Sequence, residues 1–192
     1  MSASGKAADE HPLNMMSMSS WDQPPRAPIE YGAATNERVY HMRIDRDGVW
    51  HHEGRPITRE ALVKLFATVL RRDDDGGHWL VTPVERGRIE VEDAPFVIVE
   101  LAVNGRGKSQ TIRFRSNIDS WVTLGGDHPL RLRPPRNKPD QTPIPYVDLG
   151  QGLEARLLRP VYYELAELMT CDGSETAQQS GVWSADVFFP LE

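Results

Sequence analysis

The stretch RPITREALVKLFATVLRR, Arg55 to Arg72, is where the chain first commits to a fold. Thr58 is an acceptable N-cap, because its hydroxyl can accept from the free amides of a first turn. Ala61, Leu62, Leu65, Phe66, Val69 and Leu70 recur at helical spacing, which predicts an amphipathic helix stopped by the run DDDGG at 73–77. Both sides of it read as strands. VYHMRIDRDGVWHHEGRPI precedes it with two glycine turns, while HWLVTPV, GRIEVE, PFVIVELAV and SQTIRFRSN follow, rich in β-branched and aromatic residues. SWVTLG and PLRLR extend the strand series, and PPRNKPDQTPIP, 134–145, reads as an exposed loop.

A second helix start stands in RPVYYELAEL, Arg159 to Leu168. Pro160 suits the first helical position, where its missing N–H has no helical partner to lose. Arg159 does not suit the position before it. A guanidinium has no acceptor for the free amides, and its charge beside the positive end of the helix dipole costs about 0.3 to 1 kcal/mol. Positive charge at such a place is a reason to look for an anion.

The two stretches are related by spacing. Arg55 and Arg159 lie 104 residues apart, as do Trp79 and Trp183. Carried over by the same offset, Ile57, Ala61, Leu62 and Leu65 fall on Val161, Leu165, Ala166 and Met169, all able to face a core. Each half then reads as strands, Arg-Pro, helix, acidic turn and a tryptophan-bearing strand, an internal duplication; the alternative is coincidence, since Arg133-Pro134 repeats the pair with no helix after it. The fold class expected is α+β, with two similar antiparallel β-rich halves and one main helix in each. Residues 1–38, rich in Ser, Met, Ala and Pro, read as a disordered tail. Residues 39–91 form the N-terminal half. Residues 92–192 form the C-terminal half, with one helix and GVWSADVFFPL as its last strand.

Composition narrows the function classes. The net charge of -6 is opposite in sign to that of a general nucleic-acid binder, so no nucleic acid is expected as partner. No apolar run approaches the roughly 20 residues of a membrane helix, and the N-terminus lacks the shape of a secretory leader. A cytoplasmic protein without membrane contact is expected. Cys171 is the single cysteine, which rules out an internal disulfide and a cysteine zinc site, and its surroundings favour an inert thiol.

Known catalytic patterns fail one by one. NGRGKS ends like a phosphate-binding loop, but Ala102 stands where the first glycine belongs and the segment joins two strands. His51 and His52 are neighbours in a strand, point to opposite faces and cannot share a metal. DDDGG lacks the ligand pattern of a calcium loop. No nucleophilic triad is legible, so no catalytic residue, metal or cofactor is expected.

The strand TIRFRSN is the more suggestive segment. Thr111, Arg113 and Arg115 face one side, and Ile112 and Phe114 the other. Two arginines about 7 Å apart on one face can hold a phosphate or carboxylate, unless Glu100 or Glu90 pairs with them across the sheet. Asn117 is a further polar candidate. On the second helix, Tyr162 shares the core face while Tyr163 is freer. The candidate ligand-binding residues are therefore Arg55, Arg113, Arg115, Asn117, Arg159 and Tyr163.

The segments DGVWHHEGRPITREALVKLFATVLRRDDDGGHWLVTPVERGRIEVEDAPFVIVEL, RFRSNIDS, GLEARLLRPVYYELAEL and GVWSADVFFPL closely resemble the proteobacterial family known as domain of unknown function 1285, from about Ile44 to Leu191. The resemblance implies two duplicated β-rich halves, the second superficially like pleckstrin-homology folds. It also implies a ligand site at the junction of the halves, for a nucleotide-like molecule, and a signalling role. The expected function is a non-enzymatic module that binds a small anionic ligand between its halves. An adaptor that contacts a protein partner, and an enzyme using a carboxylate such as Glu85 or Glu164 as base, are the alternatives.

Overall fold

The computed structural model describes residues 36–174 and 177–191. Up to residue 35 the expected tail lies outside the described residues, and the first strand already begins at Asn36. Strands β1 (Asn36–Ile44), β2 (Trp50–His52) and β3 (Arg55–Pro56) form an antiparallel meander. Helix α1 (Glu60–Val69) leads to a second meander, β4 (Leu70–Arg72), β5 (His78–Val81) and β6 (Glu85–Val91). The two join into one six-stranded sheet, in the order β3-β2-β1-β6-β5-β4, through a parallel pairing of β1 with β6.

The second sheet is built the same way without a helix inside it. Meanders β7 (Phe96–Asn104), β8 (Thr111–Ser116), β9 (Trp121–Thr123) and β10 (Leu130–Arg133), β11 (Ile144–Gly150), β12 (Leu153–Leu157) meet in a parallel β12·β7 pair. Its order is β10-β11-β12-β7-β8-β9. Both sheets are thus mixed, where the sequence reads as purely antiparallel. Chain-distant strands can pair in parallel because long connections separate them, a pairing that local turn signals do not announce.

Helix α2 (Arg159–Ala166) follows the second sheet, and β13 (Thr170–Ser174), β14 (Ala177–Ser184) and β15 (Val187–Pro190) close the chain as a small antiparallel sheet. GVWSADVFFPL is therefore a hairpin, not one strand. Ala185 and Asp186 both take positive φ, at 48° and 62°, the backbone twist that a two-residue hairpin turn requires. The small sheet is tied to the second by buried Ser184, whose hydroxyl donates to the Leu124 carbonyl at 2.6 Å and accepts from the Ile112 amide at 2.9 Å.

Helix α1 differs from its sequence reading at both ends. Arg59 occupies the N-cap position in place of Thr58, with no side-chain cap. The helix stops after Val69, where Leu70 turns extended at φ -70° and ψ 133°, becomes wholly buried and pairs with Leu80. The segment Leu70–Arg72, which helical periodicity assigns to a last turn, is an edge strand. The buried face is also rotated: Ala67 is buried and Val63 packs on the core, while Ala61 and Leu65 are exposed. Phe66 stacks on Trp50 with ring centroids 5.9 Å apart.

In α2 the cap position is Leu158 and Arg159 is the first helical residue. Val161 and Leu165 are buried as the spacing expects. One apolar cluster runs through both halves, from Ile44, Trp50 and Leu70 to Phe96, Ile98, Phe114, Leu165 and Val182. Among the described residues, no helix is long and apolar enough to cross a membrane.

Candidate functional site

Strand β4 of the first sheet and strand β10 of the second are both sheet edges, and a cavity of about 400 Å³ lies where residues from them meet. Arg72 reaches it from β4. Arg133 comes from the end of β10, Arg136 from the segment after it, and Glu154 from β12. Pro134, Pro135 and Pro139 supply apolar walls.

Glu154 already serves two arginines. Its Oε1 accepts from Arg133 at 2.5 Å and from Arg136 at 2.9 Å, and its Oε2 accepts from Arg133 Nε at 3.3 Å. Arg133 also lies 3.5 Å from the centre of the Tyr146 ring and donates to the Pro134 carbonyl, so its capacity is largely spent. Beneath it sits Asp93, only 2% exposed. The Tyr146 hydroxyl donates to Asp93 at 2.7 Å and the Arg136 amide donates to it at 3.1 Å. Arg133 and Arg156 stand 3.5 Å from its two oxygens. Burial first, and the Asp93 hydrogen bond next, hold the Tyr146 phenol well above its usual range. Asp93 thus fixes the backbone from which Arg136 reaches the cavity.

Arg72 is placed differently. Its NH1 donates to the Gly152 carbonyl at 3.1 Å, across the junction, while its buried Nε has no hydrogen-bond partner among the described residues. Burial, then the Arg136 charge, and further on that of Arg133, hold its guanidinium below the usual arginine value, against the pull of Glu154. Directly across from Arg72 on β5 stands His78, so both side chains share one face of the sheet. His78 is buried, its Nε2 is likewise unpartnered, and its pKa is pushed down to about 4 by burial first and then by Arg136 and Arg72. At neutral pH it is an uncharged imidazole.

The six residues named from the sequence lie elsewhere than this cavity lining. Arg115 donates to Glu100 at 2.6 Å and to Asp119 at 2.8 Å, the cross-strand pairing that was the alternative to anion binding. Arg113 lies 5.3 Å from the Trp121 ring centre. Asn117 bridges the halves structurally, accepting from the Val97 amide and donating to the Gly48 carbonyl at 3.0 Å. Gly48 holds a positive φ of 76° there, and a Cβ on it would stand 2.7 Å from the Asn117 amide nitrogen. Arg55 is exposed on β3, at the opposite edge of the sheet from Arg72, and Arg159 and Tyr163 are exposed on α2. The alternative bases fare no better: Glu85 pairs with Arg38 at 3.0 Å and Glu164 is exposed. Among the described residues no group of acidic, histidine or cysteine side chains forms a metal site.

Sequence reading missed Arg72, His78, Asp93, Arg133, Arg136 and Glu154. The signal nearest to them was Arg133-Pro134, an Arg-Pro pair without a helix, and the proline density that follows. Prolines flanking an arginine at the end of a strand mark a stiff segment, which holds a charge in place at little entropic cost.

A two-domain β-rich protein with an arginine-lined cavity at its interdomain junction is the class these features define. The chain belongs to the family of domain of unknown function 1285: the model described as "Domain of unknown function (DUF1285), N-terminal domain" matches residues 27–94, and the model of the family's C-terminal domain matches 95–191. A crystal structure of a family protein from Silicibacter pomeroyi is similar at 37% identity and TM-score 0.74, over 86% of each chain. A second, from Shewanella baltica, is 26% identical with TM-score 0.53, over 69% of this chain and 94% of its own. No curated protein matches the chain.

Proposed function

We propose that the protein is a non-enzymatic regulatory module of the cytoplasm that binds a small anionic ligand, nucleotide-like in its charged part, in the cavity between its domains. One observation carries this reading: three arginines drawn from both domains surround one cavity, and Glu154, the one carboxylate among the residues lining it, is already shared by two of them. A guanidinium matches the planar, two-point geometry of phosphate and carboxylate oxygens. The cavity falls within the roughly 300 to 1,000 Å³ usual for small-molecule sites.

A duplication at the 104-residue offset is supported by the shared element order around the two helices: α1 stands between β3 and the antiparallel meander β4-β5-β6, and α2 between β12 and the antiparallel meander β13-β14-β15, with Trp79 and Trp183 each on the middle strand. The likeness to pleckstrin-homology folds rests on the six-stranded curl of the second sheet and the helix that follows it.

The test is thermal unfolding across nucleotides, sugar phosphates and dicarboxylates, read against chloride at equal ionic strength. At least one class is expected to raise the Tm of the parent, and Arg136→Ala is expected to abolish that rise. If no class exceeds chloride at millimolar concentration, the reading fails.

A further inference from the structure

The groups that face each other across the cavity have the same sign. Arg72 belongs to the first domain, while Arg133 and Arg136 belong to the second. Glu154 is held by the second-domain pair on its own side of the junction and, among the described residues, accepts no hydrogen bond from Arg72. What Arg72 receives from the second domain is one hydrogen-bond acceptor, the neutral Gly152 carbonyl, and the longer-range pull of Glu154, set against the charges of Arg136 and Arg133. Its Nε and the His78 Nε2 beside it are buried polar atoms without partners among the described residues. Such atoms forfeit the hydrogen bonds they would make in water.

Other contacts between the domains are complementary in charge or hydrogen bonding. Asn117 donates to the Gly48 carbonyl, Lys64 pairs with Asp119 at 2.5 Å, and Arg156 donates to the Arg46 carbonyl at 2.5 Å and stands 3.4 Å from Asp47. Beside the cavity Asp93, at the end of the first domain, likewise meets Arg133, Arg156 and the Arg136 amide of the second. The junction is therefore fastened along these contacts, and the mismatch is confined to Arg72.

Building on the proposed ligand site, we infer that the bound oxyanion is the missing piece of the interdomain contact, a latch that ties Arg72 to Arg136 and couples occupancy to how firmly the two domains are held at this edge. The chemistry required is a carboxylate or phosphate group small enough to reach both guanidiniums. The rest of the ligand lies against the proline walls. Without the anion, like charges across this partly exposed seam oppose its closure. An anion between them reverses the sign of that interaction, so binding and tightening are one event. Arg72 then has two opposite effects: it stabilises the occupied state and burdens the empty one.

Inorganic phosphate serves as the probe, with sodium chloride at matched ionic strength as control, on the full chain. In the parent, phosphate is expected to raise Tm and to slow amide exchange several-fold both in Leu70–Val81 and at Arg136, Asn137 and Lys138, the two sides of the junction. Arg72→Gln is expected to unfold at the same temperature as the parent or higher without phosphate, and to lose the phosphate response. Glu154→Gln removes the charge that offsets the second-domain arginines, so its Tm without phosphate falls and its phosphate increment exceeds that of the parent. A clear drop in the phosphate-free Tm of Arg72→Gln overturns the latch, because Arg72 would then be a plain tie between domains. So does an undiminished phosphate response in that variant. Stabilisation of the parent with protection confined to one side of the junction also overturns the latch, and leaves the ligand site standing. A parent without any phosphate-specific response, together with silence across the nucleotide and carboxylate panel, removes both.

Discussion

Two groups of arginines in this protein were built from the same residue and have different fates. On β8, Arg115 finds Glu100 directly across the sheet and Asp119 four residues on, so that its charge is met twice at the surface. Around the junction cavity, Arg133 and Arg136 divide Glu154 between them, Arg133 adds a longer contact to Asp93, and Arg72 hydrogen-bonds only a carbonyl. The difference lies in carboxylate supply, not in the arginines. An alternating strand presents its charges to a neighbouring strand, where an opposite charge at the matching register is easily placed. An edge strand has no neighbour on one side, and Arg72 and Arg133 both lie on edge strands. Positive charge is left over where two sheet edges meet.

The comparison breaks most severely at Asp93, the buried carboxylate behind the cavity arginines. Replacing it with alanine removes the acceptor of the Tyr146 hydroxyl and of the Arg136 amide and leaves Arg133 and Arg156 with one counter-charge fewer. Removing one member of a buried charged network typically costs about 3 to 5 kcal/mol, and the loss is expected in denaturant unfolding of Asp93→Ala. Asp93→Asn keeps an acceptor for the Arg136 amide and should recover part of that loss. Equal costs for the two variants would mean that the charge alone matters, and that the position of Arg136 does not depend on this hydrogen bond.

A smaller effect is expected from His78 as pH falls. Its folded value, about 4, lies below the ordinary histidine value of 6.5, so the unfolded chain takes up the proton first. The contribution is fully present above about pH 6.5 and is lost as pH falls towards 4. It amounts to something on the order of 2 kcal/mol, given 1.36 kcal/mol per unit and some solvent relief. Arg136 and Arg72 disfavour the proton, while Glu154 and Asp73 favour it. The stability of His78→Gln should accordingly fall less than that of the parent between pH 6.5 and 4. Parallel curves would show that His78 is better solvated than its burial implies.

The sequence carried some of this and hid the rest for identifiable reasons. The alternation of TIRFRSN made the face of Arg113 and Arg115 legible, because a strand's two faces follow from a period of two and nothing else. Leu165 and Val161 were equally legible from helical spacing. Arg72 was not, since ALVKLFATVL keeps its helical period up to Leu70, and only the burial of Leu70 against Leu80 reveals that the helix has ended. Arg136 sits in a segment whose prolines and polar residues read as an exposed loop, yet an amide held by a carboxylate 43 residues earlier draws it inward. Asp93 carries no local sign at all. Burial of a carboxylate depends on partners that come from β10, β11 and β12, and no pattern within one segment records them.

The smallest expected effect is the one that sharpens the comparison most. Glu100 holds the Arg115 guanidinium above its usual value, and both carboxylate partners are substantially exposed, at 47% and 53% of their side-chain surface. Exposed ion pairs are worth about 0 to 1 kcal/mol because solvent and salt screen them. Arg115→Ala should therefore stay within about 1 kcal/mol of the parent, and should leave any anion-dependent rise in Tm intact. If Arg115→Ala abolished that rise as Arg136→Ala is expected to, the exposed face of β8 would be the anion site despite its carboxylates. An intact response in Arg115→Ala, beside a lost one in Arg136→Ala, would show that shared counter-charge, and not the number of arginines on a face, decides where an anion binds.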